Sequence, residues 1–136
     1  MARILVVDDD GDILKLVERV LAQANHVVFT AADGFKAMEF LENMDFDLVI
    51  SDANMPHFSG FELVQTIRKN PRFAQLSIAM LTGLRERKDI DRAVKAGVDD
   101  YIVKPIDPLI LLQKLNALFE RKPPSQHPEA VFNEHD

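Results

Sequence analysis

Short apolar runs alternate with helical stripes along most of the chain. Five runs, at residues 3–8, 27–31, 47–51, 77–81 and 101–103, are brief and mostly rich in Val, Ile and Leu. Near-continuous apolar runs of this kind suit strands buried on both faces. The segments between them, residues 11–24, 34–43, 59–70, 86–96 and 108–121, repeat their apolar side chains at helical spacing. Ile13, Val17, Val20, Leu21 and Ala24 form one face of the first helix, and Ala37, Met38, Leu41 and Met44 of the second. Leu63, Val64 and Ile67 line the third, and Ile90, Ala93 and Val94 the fourth. Leu111, Leu112, Leu115, Leu118 and Phe119 line the fifth. Gly34, Gly60, Gly83 and Gly97 punctuate the connections. Five βα units in series predict an α/β doubly wound fold, a five-stranded parallel sheet with helices on both faces.

The periodicity stops near residue 122. The last fourteen residues, PPSQHPEAVFNEHD, carry three prolines and no repeating apolar face. Residues 1–122 are therefore expected to form one domain, and 123–136 a flexible tail or linker.

A chain of 136 residues with 47% apolar and 28% charged residues reads as one ordinary globular domain. It contains no cysteine, which excludes disulfides, thiolate catalysis and Cys-based zinc sites. Apolar stretches reach only about five residues, far below a membrane span. The start, MARILVVDDD, has too short an apolar segment for a secretory signal, so a cytoplasmic location is expected. The net charge of −6 owes half its size to the tail; without its three acids, 16 basic residues face 19 acidic ones. Neither balance offers the basic face that direct nucleic-acid binding needs.

Chemistry collects at the strand ends. Asp8 and Asp9 close the first run, Asp52 follows the third, Thr82 the fourth and Lys104 the fifth. In an open parallel sheet, ligands bind outside the carboxyl ends of the strands, so these residues converge although far apart in sequence. Three carboxylates brought together repel by about 4 kcal/mol per pair at an effective dielectric near 20. Lys104 cancels only one charge, so the arrangement calls for a bound cation beside a phosphoryl group. Several of these residues also have plain structural uses. Asp12, with Asp10, is expected to cap the first helix; taken singly, Thr82 could be a turn residue and Lys104 a surface lysine, but jointly the four signals favour a site. Pro105 restricts the Lys104 backbone and can hold a cis bond. Asp52 is different, because no helix begins for several residues after it. His26, His57, His127 and His135 show no metal-ligand spacing.

In VVDD, SDANMPHFSG, LTG and DDYIVKP the chain resembles the receiver domains of two-component response regulators, over about residues 3–121. The resemblance implies a flavodoxin-like strand order 2-1-3-4-5, with Asp52 as phospho-acceptor. It implies Mg²⁺ held by Asp8, Asp9, Asp52 and the backbone carbonyl of Asn54, with Asp9 the more direct ligand of the acidic pair. Thr82 and Lys104 would hold phosphoryl oxygens, and Tyr101 would change rotamer as Thr82 moves. The donor would be a sensor histidine kinase or a histidine phosphotransfer protein. Such a protein is a regulator that catalyses its own phosphorylation and slow dephosphorylation, rather than a metabolic enzyme. The surface of the fourth helix, fifth strand and fifth helix would then switch to bind a downstream protein, an attached output domain or a second copy of the chain.

Two departures stand out. Several DNA-binding members of the family it resembles usually carry a Glu and an Arg four residues apart early in the fifth helix for dimerisation, where this chain has Ile110 and Lys114. With Leu109, Ile110 leaves an apolar spot that fits a docking patch. Leu84 and Asn54, each two residues past a site residue, border the path of hydrolytic water; Leu cannot orient it, so moderate to slow self-dephosphorylation is expected. A rival reading also exists. VVDDDGDIL resembles the haloacid-dehalogenase phosphatases, with Asp8 as nucleophile and Asp10 as acid/base, but it leaves SDANMP unexplained.

Overall fold

In the computed structural model, which describes residues 1–125, five strands form one parallel sheet in the order β2-β1-β3-β4-β5. The strands are β1 (Arg3–Val7), β2 (Val27–Ala31), β3 (Leu48–Ser51), β4 (Ser77–Thr82) and β5 (Asp100–Val103). The helices between and after them are α1 (Gly11–Gln23), α2 (Gly34–Asn43), α3 (Gly60–Arg68), α4 (Arg87–Ala96) and α5 (Pro108–Arg121). The doubly wound parallel sheet and the order 2-1-3-4-5 are as the sequence led us to expect.

Period-two alternation in the strands splits the core into two layers. Leu5, Val7, Val49, Ile78 and Met80 pack with Ala37 and Leu41 of α2, Leu63, Val64 and Ile67 of α3, and Ala93 and Ala96 of α4. Ile4, Val6, Ile50, Leu81 and Ile102 pack on the other face with Val17, Val20 and Leu21 of α1 and Leu111, Leu115 and Leu118 of α5. All five residues of β1 are buried, because helices cover that strand on both sides. β2, at the edge, is only partly covered. Among the described residues, no helix is long and apolar enough to cross a membrane.

Some details differ from the sequence reading. Asp8 lies just past β1, and the predicted third helix ends at Arg68, followed by one 3₁₀ turn over Pro71–Phe73. Pro71 and the Asn70 carboxamide, which accepts from Arg72 N–H, explain the break. Val94 does not join the core and is 61% exposed. Ala96 takes that place, three residues after Ala93 on the same helical face. The cap of α1 is Asp10, whose carboxylate accepts from the N–H groups of Asp12 and Ile13 at 2.9 and 3.4 Å. Asp12 sits in the first turn instead, where its charge meets the positive end of the helix. Residues 126–136, including His127 and His135, lie outside the described residues. Before them, Ser125 N–H donates to Asp47 at 2.8 Å. His26 is half-buried, accepts from Ala2 N–H through Nδ1 at 3.1 Å, and packs against Phe119.

Arg68 ties the end of the sheet opposite the strand tips. Its guanidinium donates to the carbonyls of Gly97 (2.9 Å), Leu76 (2.7 Å) and Phe73 (3.3 Å), and to Asp99 Oδ2 (3.0 Å). Asp99 Oδ2 also accepts from Ile78 N–H at 2.8 Å. One side chain thus joins α3, the 3₁₀ turn, the start of β4 and the end of α4. Gly97 has φ +118°, and a Cβ there would press on Arg68 Cγ at 2.7 Å, so this closure needs glycine. Arg68→Ala removes four part-buried bonds, three to carbonyls and one to a carboxylate. It should lower unfolding free energy by about 2–4 kcal/mol, measured as a fall in the urea midpoint at unchanged slope.

Candidate functional site

β1 lies between β2 and β3, so the chain reverses its direction of travel across the sheet at β1 and β3. A reversal of this kind opens a crevice outside the strand tips. Asp8 and Asp52 are the residues that follow those two strands. Each is held by its own backbone: Asp8 N–H donates to Ala31 O at 3.1 Å and Asp52 N–H to Val7 O at 2.9 Å. Both are buried, at 2% and 7% exposure, while Asp9 is exposed at the mouth. One carboxylate oxygen from each of Asp8, Asp9 and Asp52 lies within 4.8 Å of the others.

Lys104 enters from the far edge of the sheet, ninety-six residues from Asp8. Its ammonium lies 2.9 Å from Asp8 Oδ2 and 3.4 Å from Asp52 Oδ2. The Lys104 N–H donates to Thr82 O at 2.8 Å, which registers the end of β5 on β4. The Lys104–Pro105 peptide is cis.

Burial pushes the Asp8 carboxyl above its usual range, and the charge of Asp52 adds to this. The bonds from Asp10 N–H and Lys104 pull the other way without cancelling it. Burial alone would depress Lys104, but its bond to Asp8 and the charges of Asp52 and Asp8 outweigh that, so its pKa rises. The ion pair itself favours both charged forms; the upward shift on Asp8 comes from desolvation and a like charge.

The carboxylate of Asp52 is oriented by Ala53 N–H, which donates to Oδ1 at 2.7 Å, and Ser51 Oγ donates to the Asp52 carbonyl at 2.9 Å. The loop that follows closes when Gly60 N–H bonds Ala53 O at 2.8 Å. A Cβ on residue 60 would collide with the Asp52 carbonyl, so glycine is what lets α3 start this close to the site. Gly60 was legible only as loop punctuation; its contact with Asp52 depends on how the loop folds back. Asn54 is exposed within this loop, and His57 forms its tip with φ +66°. Phe58 N–H bonds Pro56 O at 2.8 Å across His57, a γ-turn in its rarer, strained form. His57 thus belongs to the rim and not to the acidic cluster.

Thr82 is buried at the tip of β4, and its Oγ1 accepts from Leu84 N–H at 3.3 Å. Continuing the pairing of Ser51 with Met80 sets Thr82 one step beyond Asp52 along the sheet. Tyr101 does not bond Thr82; its hydroxyl donates to Leu84 O at 2.7 Å. Burial raises the Tyr101 pKa, with Asp89 and Asp52 adding to it, so the phenol stays a donor. Leu84 is half-buried and packs against the α2–α3–α4 core layer. Asp10, required as acid/base by the phosphatase reading, is engaged as the α1 cap.

Residues 4–116 match the response regulator receiver domain family. The chain is 37% identical over 120 residues to chemotaxis protein CheY-3 of Vibrio cholerae, covering 88% of this chain and 92% of that one. It is 36% identical to the DNA-binding dual master transcriptional regulator RpaA of Synechocystis, covering 89% of this chain and 50% of that one. The solved structure of V. cholerae CheY4 superposes with a TM-score of 0.83 at 36% identity, covering 87% of this chain and 98% of the other. None of these similarities supports the phosphatase alternative. The strand order, the crevice it opens and the sequence matches lead to one assignment: this chain belongs to the response regulator receiver domains, the phospho-accepting switches of two-component signalling.

Proposed function

We propose that Asp52 accepts the phosphoryl group, with Asp8, Asp9, Asp52 and the Asn54 backbone carbonyl holding Mg²⁺. The observation that carries this reading is the single ammonium of Lys104 shared by two buried carboxylates, with a third alongside. Three acids against one lysine leave the crevice short of positive charge, and an all-oxygen donor set suits Mg²⁺. Oxygens on one octahedral Mg²⁺ lie at most about 4.2 Å apart, so carboxylates within 4.8 Å need only a small contraction. When bound, the ion neutralises charge on the transferring group.

The residues divide the work by position. Ala53 N–H fixes the Asp52 carboxylate so that its free lone pairs face the crevice. An Asp52 oxygen attacks phosphorus in line with the leaving imidazole of a phosphohistidine, and the P–N bond breaks with its electron pair going to nitrogen. Lys104 meets the equatorial oxygens. Thr82 Oγ1 accepts from Leu84, which leaves its proton to donate to a phosphoryl oxygen. Because Leu84 O is held by Tyr101, movement of Thr82 reaches the aromatic ring through one residue.

The donor is a sensor histidine kinase or a phosphotransfer protein, and the cytoplasm is the matching compartment. Output leaves through α4, β5 and α5 toward a downstream protein, an attached output domain or a second copy. Leu109 and Ile110, 65% and 45% exposed, present an apolar spot there. Lys114 lies 3.3 Å from Asp100 of its own chain. That pairing supports apolar docking over an intermolecular ring of ion pairs, and nothing on the described surface suggests nucleic-acid contact.

Incubation with acetyl phosphate and Mg²⁺ should place phosphate on the Asp52 peptide by mass spectrometry. Asp52→Asn should take up none, and labelling of the variant at the wild-type level would refute the assignment. Leu84→Glu supplies an acceptor for hydrolytic water and should shorten the phosphoryl half-life severalfold, followed by loss of the label. Because the folded Asp8 pKa is raised, its ionisation opposes folding: the metal-free protein gains stability from this group as pH falls through that raised value toward 3.8. Asp8→Asn should therefore raise the metal-free urea midpoint at pH 7 while weakening Mg²⁺ binding by about tenfold or more, read by calorimetry.

A further inference from the structure

Only Gly83, Leu84, Arg85 and Glu86 connect β4 to α4. A Cβ on Gly83 would meet nothing within 4 Å, so packing at that residue does not fix the loop. Two bonds to β5 and the residue after it hold it instead. Tyr101 Oη donates to Leu84 O at 2.7 Å, and Arg85 Nη2 donates to the Lys104 carbonyl at 3.0 Å. Lys104 N–H in turn donates to Thr82 O at 2.8 Å. Thr82, Leu84, Arg85 and Lys104 therefore form a closed circuit: peptide chain from Thr82 through Leu84 to Arg85, the guanidinium from Arg85 to the Lys104 carbonyl, and the Lys104 N–H bond back to Thr82 O. Inside this circuit the Leu84 N–H points at Thr82 Oγ1 across 3.3 Å, a long bond that a small loop shift would break.

We propose that Arg85 is a positioning residue for the phosphoryl site: its bond to the Lys104 carbonyl holds the loop so that Leu84 N–H polarises the Thr82 hydroxyl. This rests on the reading of Asp52 as acceptor. A hydroxyl that accepts a hydrogen bond is a better donor, so the clasp strengthens the bond Thr82 offers to a phosphoryl oxygen. The same clasp steadies the backbone of Lys104, whose ammonium is shared between Asp8 and Asp52. Arg85 acts through its N–H rather than its charge, because its partner is a neutral carbonyl. The guanidinium is exposed, so its effect has the size of one ordinary hydrogen bond.

The test uses the full chain with Mg²⁺ and beryllofluoride as a phosphoryl mimic. Binding can be followed through the fluorescence of Tyr101, since the chain has one tyrosine and no tryptophan. Arg85→Ala should weaken beryllofluoride binding about fivefold, with Mg²⁺ affinity unchanged and the urea midpoint lowered by no more than the loss of one exposed hydrogen bond. Arg85→Gln and Arg85→Lys, which keep an N–H donor, should recover most of the loss. In a Thr82→Ala background, Arg85→Ala should cost nothing further. Wild-type binding by Arg85→Ala, an equal loss in both backgrounds, or rescue by Lys but not Gln overturns the proposal. If the wild type binds beryllofluoride and Asp52→Asn does not, such a result falls on Arg85 alone. If the wild type takes up none, the acceptor reading fails, and the role of Arg85 fails with it.

Discussion

Everything at the working end of this protein depends on two carboxylates, Asp8 and Asp52, being buried beside each other. A fold avoids this arrangement unless something compensates, because desolvation and mutual repulsion both oppose it. Here the compensation is partial by construction. Lys104 reaches both acids, but one ammonium cannot balance them and Asp9 together. The crevice is left with an excess of negative charge held in a fixed frame of backbone bonds. Such a frame has the charge and the oxygen donors that a small, hard cation requires.

The sheet topology is what makes that frame affordable in stability terms. β1 and β3 are buried on both faces, and their ladder bonds continue one residue past each strand to hold Asp8 and Asp52. The acids inherit the rigidity of two fully buried strands. Lys104 follows β5, which is registered to β4 by the Thr82–Lys104 bond. The positive group and the hydroxyl are therefore on one pair of strands and the acids on another, and the crevice lies where those pairs meet.

Much of this could be read from the chain before its structure. Strand runs such as ILVV and SIAML are short, apolar and bounded by polar residues, so their burial and their tips were visible, and with them the meeting of Asp8, Asp9, Asp52 and Lys104, with Thr82 at the tip of the neighbouring strand. What stayed hidden involves side chains that meet distant backbone. Arg68 bonds carbonyls on three other segments, Arg85 bonds the carbonyl of Lys104, and Gly60 is required by the Asp52 carbonyl. None of these leaves a periodic trace, because the partner is a peptide group present at every position. Val94 was misplaced for another reason: in a short helix with alanines at the contact, a rotation of one position exchanges a core residue for an exposed one. The choice between Asp10 and Asp12 as cap likewise depended on where the first turn begins, which several adjacent aspartates obscure.

Arg68 fixes the Gly97 end of α4 to the far end of the sheet, while the Glu86 end follows the loop beside Thr82. A ten-residue helix is about 15 Å long, so a sideways step of about 1 Å at the loop, with the other end hinged, becomes a tilt of roughly 4°. The direction of that tilt is set by geometry, and the outer face of α4, with Val94 on it, would sweep through space while the acidic crevice stays in place.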